Sequence, residues 1–98
     1  MNSLFINYIS CLINQIFKIL PLKEECSNNL ISYIKDTKQE LIGFNKFTEY
    51  CNNDAIIMRL VSILQYFENN INDMDISEVK RNVFKAISLC NTLKNKFK

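Results

Sequence analysis

Residues 75–97 read DISEVKRNVFKAISLCNTLKNKF. Within that stretch Ile76, Val79, Val83, Ala86, Cys90, Leu93 and Phe97 alternate steps of three and four, the period at which side chains stack on one face of an α-helix. Three heptads in register predict a left-handed packing seam of the sort found in helical bundles. At the head of the stretch, Asp75 and Glu78 have the spacing of a capping box, with aspartate as N-cap in place of serine or threonine. A helix so patterned buries one stripe and needs other helices to bury it against.

Moving towards the N-terminus, the polar run Asn69-Asn70-Ile71-Asn72-Asp73 reads as a turn. Before it, a helix is predicted over 54–69, the most apolar of the chain, with Ile56, Ile57, Leu60, Val61, Ile63, Leu64 and Phe67 covering more than half its circumference. In the segment 44–53, Phe44, Phe47 and Tyr50 are spaced by three, which predicts a short extra helical turn that plugs aromatics into the core. A further helix is predicted over 22–42, with Cys26, Leu30, Tyr33, Ile34, Thr37 and Leu41 facing inward. Glu24 and Glu25 would lie in its first turn, at the positive end of the dipole, and Gly43 would close it with a left-handed cap. The first helix is predicted over 2–20, its inner stripe formed by Leu4, Phe5, Tyr8, Ile9, Leu12, Ile13, Ile16, Phe17 and Leu20. Pro21 would stop it, since proline lacks an amide donor and clashes with the preceding turn.

The chain has 98 residues, one glycine and one proline. That length suits a single domain over 1–98, and so few turn formers argue against the tight hairpins of a β fold. The expected fold is all-α, a compact antiparallel bundle of four main helices plus a short extra helical turn. Asn and Ile each occur 14 times and Lys 10 times, a bias expected of an AT-rich genome such as that of a low-GC bacterium, a phage or a large virus.

The residue types narrow the chemistry. There is no histidine, which removes the commonest general base and metal ligand. Glu24, Glu25, Asp54, Asp75 and Glu78 sit where helices are predicted to begin, so capping explains them better than catalysis. Asp36 and Glu40, flanked by Lys35 and Lys38, read as a solvated charged face. Cys11, Cys26, Cys51 and Cys90 are far apart with no Cys-x-x-Cys pair among them, and they are expected to be reduced, buried hydrophobes rather than metal ligands or disulfides. A lone glycine excludes a glycine-rich phosphate loop. No catalytic residue, metal or cofactor is therefore expected. Polar interruptions at Asn7, Ser10, Asn14, Gln15 and Lys18, with no basic segment ahead of them, argue against a signal peptide or membrane span and for a cytoplasmic location.

Binding is what remains. The favoured expectation is a non-enzymatic protein-binding module, such as an inhibitor, immunity protein, antitoxin or adaptor, of phage, mobile-element or bacterial origin. The alternative is a binder of nucleic acid or a small anionic nucleotide through Lys80, Arg81 and Lys85, although a net charge of +2 is small for that purpose. Lys94, Lys96 and Lys98 are explained by the dipole of the last helix. A membrane-surface role for the first helix is disfavoured because Lys18 is the one cation on its polar face. Arg59 and Tyr66, on the polar side of the 54–69 helix, form the next candidate contact. Ile6, Ile19 and the breadth of the 54–69 apolar face predict uncovered apolar area, hence a homo-oligomer, most simply a dimer, through the first or third predicted helix.

Overall fold

The computed structural model describes residues 2–47 and 55–96. Among the described residues five α-helices appear in order: α1 (Asn2–Phe17), α2 (Ile19–Glu24), α3 (Leu30–Phe47), α4 (Ala55–Asn70) and α5 (Ile76–Lys96), with a 3-10 turn at Ile71–Asp73 between the last two. Among the described residues there is no strand. The protein is an all-α bundle whose long axis measures 38 Å against 20 and 19 Å across.

Around the bundle, α1 packs chiefly on α5, α5 on α4, and α4 on α3, while the seam between α3 and α1 is much the thinnest. Tyr8 stacks on Phe44 and Gln15 reaches Glu40, so α1 and α3 run in opposite directions. Phe17 meets Phe84 at the far end of α1, and the electrostatic influence of Cys90 reaches Tyr8 near its start, so α1 and α5 are antiparallel as well. With α4 and α5 joined by a short turn, every neighbouring pair of long helices is antiparallel. The core they enclose is aliphatic: Ile9, Leu12, Ile16, Ile34, Leu41, Ile57, Leu60, Leu64, Val83 and Leu93 are fully buried, with Phe67 the largest side chain among them.

The 3.6-residue period of α5 and its capping residue act as the sequence predicts. Asp75 Oδ1 accepts the amide of Glu78 at 2.8 Å, satisfying one of the donors that a helix N-terminus leaves free. Val79, Val83, Ala86, Cys90 and Leu93 are buried. Ile76, read from its spacing as part of the seam, is instead 43% exposed: it lies about 60° around the helix from Val79, which with Ile71 and Met74 fills the core at that end.

The N-terminal half departs from the expectation in several places. The break falls at Lys18, not at Pro21, and the chain resumes as α2. Proline at 21 lacks the amide that would bond to the carbonyl of Phe17, which ends α1 there; as the third residue of α2 it sits in a first turn, where no such amide is needed. The restart swings Ile19 into the core, where it is fully buried, and Leu4 and Phe17 end up exposed although they lie on the predicted stripe. Glu24 and Glu25 close α2 instead of opening a long helix, and both are exposed. Cys26 has φ of 54°; its amide bonds to the Lys23 carbonyl and that of Ser27 to the Leu22 carbonyl, the paired 5→2 and 6→1 bonds of a Schellman cap. A cysteine therefore takes the left-handed place normally given to glycine, and Cys26 is exposed rather than inward-facing. Gly43 is not a cap: α3 runs through it to Phe47. Phe44 accordingly belongs to α3, whereas the proposed turn at Tyr50 and the position of Cys51 lie outside the described residues.

Among the described residues, Ser3–Glu24 is the one helical stretch long and apolar enough to cross a membrane by length and composition. It is interrupted at Lys18, and Phe5, Ile9, Leu12, Ile16, Ile19 and Leu20 within it are buried against the other helices.

Candidate functional site

A cleft of about 370 Å³ opens between α4 and α5, lined by Ser62, Ile63, Tyr66, Glu78, Arg81 and Asn82. Tyr66 points from the outer side of α4, and its hydroxyl donates to Glu78 Oε2 at 3.3 Å. The backbone carbonyl of Glu78 in turn accepts Asn82 Nδ2 at 2.9 Å. Capping places Glu78 at the first turn of α5, the short 3-10 connection brings that turn beside the end of α4, and Tyr66 is held across the gap. An aromatic ring and a guanidinium thus share one open cleft with a carboxylate that tethers the ring.

The two candidate groups identified in the sequence are partly merged and partly split by this arrangement. Tyr66 and Arg81, from different groups, meet in the cleft. Lys85 is one turn beyond Arg81, and Arg59 lies two turns before Tyr66 on the antiparallel α4; both are exposed and continue in the same direction along the bundle. Lys80 does not join them. Successive residues of a helix are about 100° apart, which turns Lys80 towards the α1 side, beside Ile76 and Phe84, while Arg81 and Lys85 look towards α4. The cationic triple of the sequence is therefore two separate surfaces.

Other features of the surface carry no local sequence signal. Lys38, expected on a solvated face, is only 7% exposed; its ammonium donates to Gln65 Oε1 at 2.7 Å and pairs with Glu68 Oε1 at 2.8 Å, tying α3 to α4. Tyr33, half-buried, donates to the Gln15 carbonyl at 2.8 Å, and burial, then the nearby Glu40 carboxylate, raise its pKa. Tyr8 is raised further, by burial first and then by Glu40, and its hydroxyl has no hydrogen-bond partner. A second cleft, about 390 Å³, lies at the α2–α3 turn and contains Lys23, Cys26, Ser27, Asn28, Leu30, Ile31 and Asn72. Lys23 spans its wall, donating to the Ile71 carbonyl at 2.8 Å.

The cysteines do not behave alike. Cys90 is the buried hydrophobe expected, its thiol pushed up to about 12 by burial. Cys11 and Cys26 are exposed and unpaired, against the expectation that all four lie inside. Among the described residues no group of three or more His, Cys, Asp or Glu side chains converges to hold a metal ion. Compared with known protein families, curated proteins and solved structures, the chain matches none.

Proposed function

We propose that the protein is a non-enzymatic binding module that captures a protein partner through the α4–α5 cleft. The observation that carries this reading is the meeting of Tyr66 and Arg81 in one open cleft. Tyrosine and arginine are the side chains most often found to dominate protein interfaces, because each covers much area and offers directional hydrogen bonds at low entropic cost. The tether from Tyr66 to Glu78 holds the ring before the partner arrives, which lowers the ordering cost of association. Arg81 and Lys85 give that edge a positive sign and so favour an acidic partner surface. The absence of histidine from the chain fits a binding role better than acid–base catalysis.

A tagged protein incubated with extract of its native cell, followed by mass spectrometry of proteins and nucleotides, tests this. Tyr66→Ala and the pair Arg81→Glu with Lys85→Glu replace exposed residues, so both variants keep the fold, and each is expected to lose the partner. Undiminished capture by the folded variants would remove the cleft from consideration. Capture that collapses steeply between low and high salt and brings down polynucleotide would favour the nucleic-acid reading instead.

Self-association is a separate question. The apolar breadth of α4 is largely taken up by the core, against which Ile56, Val61 and Ile63 pack, and Ile19 is buried. What supports a dimer is now Leu4 and Phe17 on α1 and Met58 on α4, all at least half exposed. Light scattering at tens of micromolar distinguishes the dimer from a monomer.

A further inference from the structure

The antiparallel register of α4 and α5 brings together cations that are far apart in the sequence. Tyr66 on α4 meets Glu78 on α5, and in an antiparallel pair each step back along one helix matches a step forward along the other. Arg59, seven residues before Tyr66, therefore stands level with Lys85, seven residues after Glu78. Arg81, one turn before Lys85 on the same helix, lies about 6 Å away along the axis. All three are exposed. Among the described residues, none of them has a hydrogen bond or an ion pair.

Like charges held this close on a helix surface destabilise a fold, and a purely structural role would set a carboxylate between them. Among the described residues, α4 and α5 offer Glu68 and Glu78, and both are engaged elsewhere. Glu68 pairs with Lys38 towards α3, and Glu78 accepts the Tyr66 hydroxyl at the other end of the groove. The three cations are left facing solvent without a counter-charge, a cluster of the kind that recognises acidic motifs.

The sign of the charge changes along the groove, and the change limits what fits. Past Arg81 the groove reaches Glu78 and then Asp75, so a polynucleotide, with a phosphate on every residue, runs into repulsion. A peptide can vary its chemistry from one residue to the next. Acidic side chains over Arg59, Lys85 and Arg81 can be followed by an apolar one in the cleft, beside Ile63 and the Tyr66 ring. Separate carboxylates also suit cations spread along the groove and across it better than one compact phosphate does. From the level of Lys85 to that of Glu78 is seven residues, about 10 Å of helix axis, which about three extended peptide residues span.

We infer that the α4–α5 groove takes an acidic segment of a partner protein, with Asp or Glu side chains set over Arg59, Arg81 and Lys85 and an apolar side chain in the Tyr66 cleft. This rests on the reading of the chain as a protein-binding module and names the chemistry that its partner brings.

The test is a nitrogen-15 NMR titration of the whole chain at low salt with defined probes: the end-blocked peptide Leu-Glu-Asp-Glu, its neutral counterpart Leu-Gln-Asn-Gln, inorganic phosphate and a single-stranded oligonucleotide. Saturable shifts at Arg59, Arg81, Lys85 and Tyr66 are expected with the acidic peptide, and binding about tenfold weaker in Arg59→Glu. Lys85→Glu sets a carboxylate across from Arg59, so its thermal midpoint should lie above that of the native chain while its affinity for the acidic peptide falls. A lowered midpoint would overturn the register on which the inference stands. Equal binding of the neutral peptide, tighter binding of phosphate or oligonucleotide, or no saturable shift would each overturn it too. Should Tyr66→Ala abolish capture of the cellular partner while Arg59→Glu does not, the inference fails and the cleft reading stands; should neither change capture, both fail.

Discussion

The seam between α3 and α4 and the seam between α3 and α1 both bury polar side chains, and the buried group at the centre of each is treated differently. On the α4 side, the Lys38 ammonium donates to Gln65 at 2.7 Å and forms an ion pair with Glu68 Oε1 at 2.8 Å, so a charge taken out of water is met by an acceptor and a counter-charge, although that Glu68 oxygen accepts no hydrogen bond. On the α1 side, Tyr8 Oη and Gln15 Oε1 are buried and accept or donate no hydrogen bond, although Tyr33 and the stacked rings of Tyr8 and Phe44, 4.0 Å apart, still bridge the helices. A satisfied polar group fixes a helix pair in register; an orphaned one costs its desolvation with no return. The first seam should therefore suffer from losing its polar groups, and the second should gain.

The largest effect is expected for Lys38→Met, which leaves the carboxylate of Glu68 partly buried and uncompensated. A loss of about 2 to 4 kcal/mol is expected by urea unfolding, somewhat below the usual figure for a broken buried pair because Glu68 keeps some contact with water. Replacing Glu68 by Leu in the same chain should recover most of it; no recovery would mean that Lys38 acts through packing alone.

Alkaline pH probes the interior next. Cys90, raised from an ordinary value of 9.0 to about 12 by burial, stays protonated in the folded protein while the unfolded chain releases its proton. Stability is thus complete below about pH 9 and falls as pH rises towards about 12. Tyr8, also raised, adds a second decline that starts at the ordinary tyrosine pKa of about 10. Denaturation midpoints measured from pH 7 upward should show the slope, with Cys90→Ala flattening its first part and Tyr8→Phe its second; a flat profile in the native chain would contradict the burial of both.

Smaller is the effect of Tyr8→Phe at neutral pH. Removing a hydroxyl that has no partner while keeping the stacked ring should raise stability by about 1 kcal/mol, and a loss instead would show that the hydroxyl is satisfied in solution. Smallest is Gly43→Ala. Gly43 lies inside α3, and a methyl group there meets no atom within 4 Å, so the gain is the helix-propensity difference, about 0.5 to 1 kcal/mol. A loss on thermal unfolding would mean that α3 is not helical at that point.

How far these features could be read from the sequence depends on how local their causes are. In α5 the cap at Asp75, the unbroken three-four spacing and the terminal lysines agree, and the helix stands where they put it. At the α1–α3 joint the cues are local but ambiguous: proline ends one helix and is equally at home in the first turn of the next. Once the break at Lys18 is missed, the helical phase is carried across Ser27–Asn29 and Cys26 is placed inside. Gly43 is another such case, since a glycine after a periodic run permits a cap without requiring one. Lys38 has no local signal at all, because its partners lie 27 and 30 residues further on. Tyr66 and Arg81 could each be singled out from their helical faces, but their meeting depends on the antiparallel register of α4 and α5.

The pairing of α1 with α5 also bears on how the chain comes off the ribosome. Phe5, Ile9, Leu12 and Ile16 are made before α3 and α4, and the helix that chiefly covers them is made after both. Until α5 is released, the α3–α4 pair can form locally, but the N-terminal apolar stripe lacks most of its cover, the condition in which nascent chains aggregate or engage chaperones.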